Sequence, residues 1–115
     1  MRMSRELDKW IAAEIFGDIH IDIGMFEMHT IGPQGVASLP FYSSHTDSAL
    51  KVLKKLQEMY PDLIFHLWWD SAWFLERENI VKDRFQLAHD TTNPAMAICL
   101  GAYRQITGEN WSEDN

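Results

Sequence analysis

Ser43, Ser44 and His45 stand side by side just ahead of a helical pattern. A hydroxyl beside an imidazole suggests a nucleophile and its base. The strand-to-helix GxSxG elbow that would expose such a serine is missing. Two other readings remain. Hydroxyls at a helix start cap its free N–H groups. The same donors can hold an anion at the positive end of the helix, with Tyr42 alongside and His45 as charge partner.

A second cluster is aromatic: Trp68, Trp69, Trp73 and Phe74. On alternating strands one face is core, and Trp68 and Trp73 are expected to share the other. Left open, they form a stacking platform for a base or an anchor for a protein partner. Covered by helices, they are core. Trp69 or Trp73 would stack a base. Arg77 and Arg84 are near enough in sequence to take phosphate or carboxylate, with surface salt bridges as the competing use.

Five histidines raise the question of a metal. His20 and Asp22 point to one side of a strand, but no HExxH or CxxC spacing supplies further ligands. The single cysteine, Cys99, lies between Ile98 and Leu100. It is expected to be a buried structural thiol in a reducing compartment. There is no Walker loop, Rossmann glycine pattern or pair of catalytic carboxylates. The expectation is therefore a protein that is not an enzyme and needs no metal or cofactor.

The chain has 115 residues, 46% of them apolar, enough for the core of one domain. Domain 1–115 is expected to end in a polar tail from about residue 109. Seventeen acidic residues against ten basic ones give a net charge of −7. That excludes a basic footprint for a nucleic acid polymer. It suits solubility or a basic protein surface as partner. Neither a signal-like apolar run near residue 1 nor a membrane-length segment is visible, so a cytoplasmic protein is expected.

The elements follow from periodicity. Ser4 would cap a first helix from Arg5 to about Phe16, with Leu7, Trp10, Ile11 and Ile15 on one face and Gly17 as its stop. Ile19, Ile21 and Ile23 alternate as a strand, and Phe26 and Met28 continue in a second. Residues 32–35 read as a turn, and Val36 to Tyr42 as an extended arm. The second helix starts near His45, with Ser44 and Asp47 at capping-box spacing, and Pro61 ends it. Two or three strands fill 62–89, turning at Asp70-Ser71 and Glu78-Asn79. A third helix starts at Pro94, capped by Asn93 or Thr92, and Gly108 stops it. The order α-β-β-α-β-β-β-α predicts an α+β fold: an antiparallel sheet with three helices packed against it.

Two segments carry a further signal, LPFYSSHTDSALKVLKKL from Leu39 and TTNPAMAICLGA from Thr91. In the first, Pro40, Tyr42, Ser43, Ser44, Ala49, Val52, Lys55 and Leu56 resemble the second-helix motif of the phage ABA sandwich domain family. His45 replaces that family's usual Asp, and Leu50 its frequent Trp. In the second, Pro94, Ala95, Ala97, Ile98, Cys99 and Ala102 resemble its third-helix motif, with Gly101 in place of an Ala. The resemblance implies an α-β-α sandwich-like fold and a small phage protein in the infected cell's cytoplasm, and assigns no activity. By class analogy it implies counter-defence. One route is a sponge for a nucleotide immune signal, such as a cyclic oligonucleotide or an ADP-ribose derivative. It would use Tyr42, Ser43, Ser44 and His45 for phosphate, Trp69 and Trp73 for the base, and Arg77 and Arg84 as cations. A homo-oligomer would add concave surface. The alternative is an acidic inhibitor that docks directly on a host or phage protein.

Overall fold

The computed structural model of the chain describes residues 2–23, 26–31, 35–90 and 93–111. The elements run α1 (Arg2–Glu14), β1 (His20–Ile23), β2 (Phe26–Ile31), β3 (Gly35–Ser38), α2 (Thr46–Met59), β4 (Ile64–Trp69), β5 (Trp73–Glu78), β6 (Arg84–Asp90) and α3 (Pro94–Thr107). The fold is α+β, with three helices and antiparallel strands. The strands form two sheets, β1-β2-β3 and β4-β5-β6, rather than one.

Three expectations about element boundaries and caps need correction. The first helix begins at Arg2, so Ser4 lies inside it and is not its cap. Of the arm expected at 36–42, only the start is strand: β3, residues 35–38, pairs with 28–31 of β2, and Tyr42 lies in the turn before α2. The spacing of Ser44 and Asp47 does not make a capping box. The N-cap of α2 is His45, in extended backbone and without a side-chain cap bond. Of the turn expected at 32–35, Gly35 belongs to β3 and residues 32–34 lie outside the described residues, as does the alternative cap Thr92.

Other local rules hold. Asn93 caps α3, its side-chain oxygen accepting from Ala95 N–H at 2.9 Å, and Pro94 follows. Gly17 (φ 70°) and Gly108 (φ 79°) end α1 and α3 in the left-handed region. Leu7 and Ile11 of α1, Val52 and Leu56 of α2, Ile98 of α3 and Leu75 of β5 have no exposed surface and form the centre of the core.

The register of the second sheet decides which side chains share a face, because directly opposed residues point the same way. Phe65, Leu67 and Trp69 of β4 lie opposite Arg77, Leu75 and Trp73 of β5. This is the helix-bearing face. Gly101 of α3 lies so close to Leu75 that a β-carbon there would overlap that side chain. Tyr60, just after α2, meets Phe65 edge-on at 6.3 Å. The other face holds Ile64, His66 and Trp68 beside Phe74, Glu76 and Glu78. Among the described residues it carries no helix. So Trp68 pairs with Phe74 and Trp73 with Trp69, on opposite faces; Trp68 and Trp73 do not share one.

β6 contains an irregularity. Leu75 lies opposite Ala88 and Glu76 opposite Gln86, which leaves Leu87 as an extra residue. Period two alone would put Phe85, Leu87 and His89 on one face. The bulge instead keeps Phe85 with Arg77 on the helix side and turns His89 to the open side with Phe74.

Candidate functional site

The loop before α2 was the first candidate for an anion. Its backbone donors are already engaged. Ser43 N–H donates to Asp8 Oδ1 at 2.8 Å. Ser44 and His45 N–H both donate to the Phe41 carbonyl, at 3.1 and 2.8 Å. Asp8 has no exposed surface, and Arg5 binds its other oxygen at 2.8 Å. Arg5 also donates to the Pro40 and Leu39 carbonyls, both at 3.1 Å. From the far side Asn93 Nδ2 donates to Ser43 O at 3.1 Å. An internal carboxylate thus occupies the place expected for a phosphate, and this knot ties α1, the loop and α3 together.

Tyr42 is buried and stacks on Phe16 at 5.3 Å. Burial, then Asp18 and Asp8, push its phenol up to about 12. His45 is exposed and leans on the Phe41 ring at 5.1 Å. Cys99 is fully buried, and burial raises its thiol well above the usual value.

The remaining expected site residues do not converge on this loop or on one another. Trp69 and Trp73 form a tilted pair at 5.4 Å at the β4–β5 turn, with Trp69 52% exposed. Arg77 points to the helices, donates to Gln105 Oε1 at 2.7 Å and lies over the Phe85 ring at 4.7 Å. Arg84 is on the opposite face, 60% exposed, with its Nε 3.2 Å from Glu78 Oε1.

The open face of the second sheet holds a grouping that residue spacing alone does not show. Trp68 stacks on Phe74 at 4.7 Å, and Phe74 meets His89 at 5.9 Å, so an aromatic row crosses all three strands. Trp68 Nε1–H is buried and has no hydrogen-bond partner. A donor left in that state costs free energy. Farther along the same face is a charged cluster. Glu78 receives His66 Nε2 at 3.1 Å, Arg84 at 3.2 Å and Lys82 at 3.4 Å. Burial would raise the Glu78 carboxyl, but Lys82, Arg84 and His66 outweigh it and hold it below its ordinary value. Row and cluster are four residues apart on β5, roughly 13 Å. Phe74 and His89 meet only because of the bulge, which leaves no signature in composition or period.

A cavity of about 410 Å³ lies on the other side of β6. Gln86, Leu87, Ala88 and His89 line it consecutively, together with Leu100, Arg104 and Trp111. Four consecutive strand residues border one space only at the edge of a strand, since side chains alternate between faces. As for metals, β1–β2 register places His29 opposite His20 and Glu27 opposite Asp22. Among the residues whose side chains are described, no three metal-ligating groups come together. No helix among the described residues is long and apolar enough to cross a membrane.

No family model matches the chain, and no curated protein matches it. Among solved structures it is similar to the crystal structure of a phage protein from Bacillus cereus ATCC 14579, with a TM-score of 0.64 and 24% identity over 95% of this chain and 91% of that one. At that identity the likeness shows the fold.

Proposed function

We propose that this chain is a non-catalytic phage accessory protein of the phage ABA sandwich type. In this reading it acts in the host cytoplasm and sequesters a small nucleotide-type immune signal on the open face of its second sheet. The observation that carries the reading is the Trp68–Phe74–His89 row that crosses the three strands. Stacked rings hold a base whatever its identity, at about 1–3 kcal/mol per base. Arg84, largely exposed on the same face, is the cation within reach of a phosphate. His66 and Glu78 resemble a general-base pair, but among the described residues no hydroxyl or thiol is bonded to His66, which favours capture over turnover. Phage origin rests on the two sequence motifs and on the likeness to a protein described as a phage protein.

The test is a thermal-shift screen against cyclic dinucleotides, cyclic trinucleotides and ADP-ribose derivatives. A ligand that binds only the native state raises the melting temperature. The expected result is a shift with one nucleotide, which is then recovered intact. His89→Ala and Arg84→Ala should each weaken binding by about tenfold or more, while Ser44→Ala leaves it unchanged. A flat screen sinks this reading. It would favour the second one, an acidic inhibitor of a host or phage protein, whose specific support is Ile80 and Val81, 83% and 69% exposed at the β5–β6 turn.

A further inference from the structure

β6 is the last strand of its sheet, and among the described residues no backbone group hydrogen-bonds to the outer edge of its stretch from Arg84 to His89. An open edge of six residues, Arg84 to His89, without proline or lysine is a template for another strand. The far edge is treated differently: Gln57 takes the Phe65 N–H and donates to the Leu63 carbonyl, which blunts β4. Beside β6, the cavity bordered by Leu100, Arg104 and Trp111 lies where the helix-side residues of a fourth strand would go.

The bulge selects the occupant. From Arg84 to Asp90 the faces run open, helix, open, helix, helix, open, helix, with Leu87 and Ala88 both on the helix side. From Phe85 to Asp90 this pattern is a palindrome about the point between Leu87 and Ala88. Two antiparallel copies of β6 therefore match faces at every pair in one register: Leu87 opposite Ala88, Gln86 opposite His89, and Phe85 opposite Asp90. A register shifted by one residue either way puts some opposed side chains on different faces. The same register sets Asp90 of the second copy opposite Phe85, the ring over which Arg104 lies at 5.4 Å, so a carboxylate approaches a cation at each end of the pairing.

We propose that β6 pairs antiparallel with β6 of a second copy of this chain. The two sheets become one of six strands, and the open aromatic faces become one surface. His89 of each copy then lies across from Gln86 of the other, so each ligand face is completed by a partner side chain. The contact is isologous and closes at two copies. It rests on the strand edge and not on any ligand, so it stands or falls separately from the proposed sequestration.

The test uses the full chain without ligand. Sedimentation equilibrium is expected to give twice the 13.4 kDa of one chain. Gln86 and His89 are exposed, so changes there should leave the monomer folded, and melting curves check this. The double variant Gln86→Lys with His89→Lys places like charges opposite each other twice and should weaken the dimer by at least about tenfold. The double variant Gln86→Lys with His89→Glu places opposite charges there and should retain the dimer or tighten it. Amide protection across 84–90 should rise with protein concentration. A monomer at every concentration overturns the proposal. So does a dimer indifferent to the paired lysines, equal weakening in both double variants, or β6 protection that ignores concentration.

Discussion

Asp8 is a carboxylate without exposed surface, and its two donors come from different parts of the chain, Arg5 on its own helix and the Ser43 amide 35 positions on. Removing one partner of a buried charge leaves the others uncompensated. Asp8→Ala should therefore destabilise the fold by about 3–5 kcal/mol, read from urea denaturation midpoints. Asp8→Asn, which keeps an acceptor, should cost less. The same knot explains why Ser43 and Ser44 do not form the anion site their spacing advertises: Ser43 N–H serves a side-chain carboxylate far away in sequence, and Ser44 N–H serves the Phe41 carbonyl. Tyr42, beside it, makes a pH prediction. Its folded value near 12 exceeds the ordinary phenol value of 10.0, so stability is intact below pH 10 and declines as pH rises toward 12, where only the unfolded phenol ionises freely. Tyr42→Phe should remove that part of the alkaline decline in pH-dependent melting curves.

At the scale of elements, α3 shows how closely helix and sheet are fitted. Gly101 faces the fully buried Leu75, and a methyl group added to Gly101 would overlap that side chain. Gly101→Ala should cost about 1–3 kcal/mol through overpacking, despite the better helix propensity of alanine. Adding Leu75→Val should recover part of the loss, measured by chemical denaturation of both variants. The start and stop of α3 were legible in the sequence because Asn93, Pro94 and Gly108 act through their own backbone. The first turn of α1 and strand β3 were not. β3 is only four residues, and pairing with β2 creates it rather than local preference. The bulge in β6 was invisible for a related reason: it is a relation between two strands, yet it decides that His89 joins the aromatic row. The helix stripes and the fold class could be read from period alone. The site could not, because the face of each tryptophan depends on register. Glu78 ties β5 to β6, and its lowered carboxyl gives a second pH effect of opposite sense. Its stabilising share is present above the ordinary carboxylate value and is lost as pH falls through the lowered folded one. Glu78→Gln should flatten that acid-side loss in melting curves recorded at falling pH.

The net charge of −7 belongs to the whole molecule and separates the two functional readings. Around Glu78 two carboxylates, Glu76 and Glu78, balance two cations, Lys82 and Arg84, so the proposed ligand face offers no local excess of positive charge. A nucleotide phosphate approaching it meets the repulsive field of the whole protein first. Salt screens that field, whose reach falls from about 20 Å near 20 mM to about 4 Å near 500 mM. The association rate of an anionic ligand should therefore hold or rise across that range. An acidic inhibitor docking on a basic protein is steered by the same field with the opposite sign, and its association rate should fall steeply over the same range. Stopped-flow tryptophan fluorescence can follow both, since Trp68 stacks on Phe74 in the row a ligand would touch. A nucleotide whose association slows sharply with salt would mean that a local cation patch dominates capture. That outcome would move the phosphate contact away from the balanced Glu78 cluster, toward Arg104 beside the β6 edge.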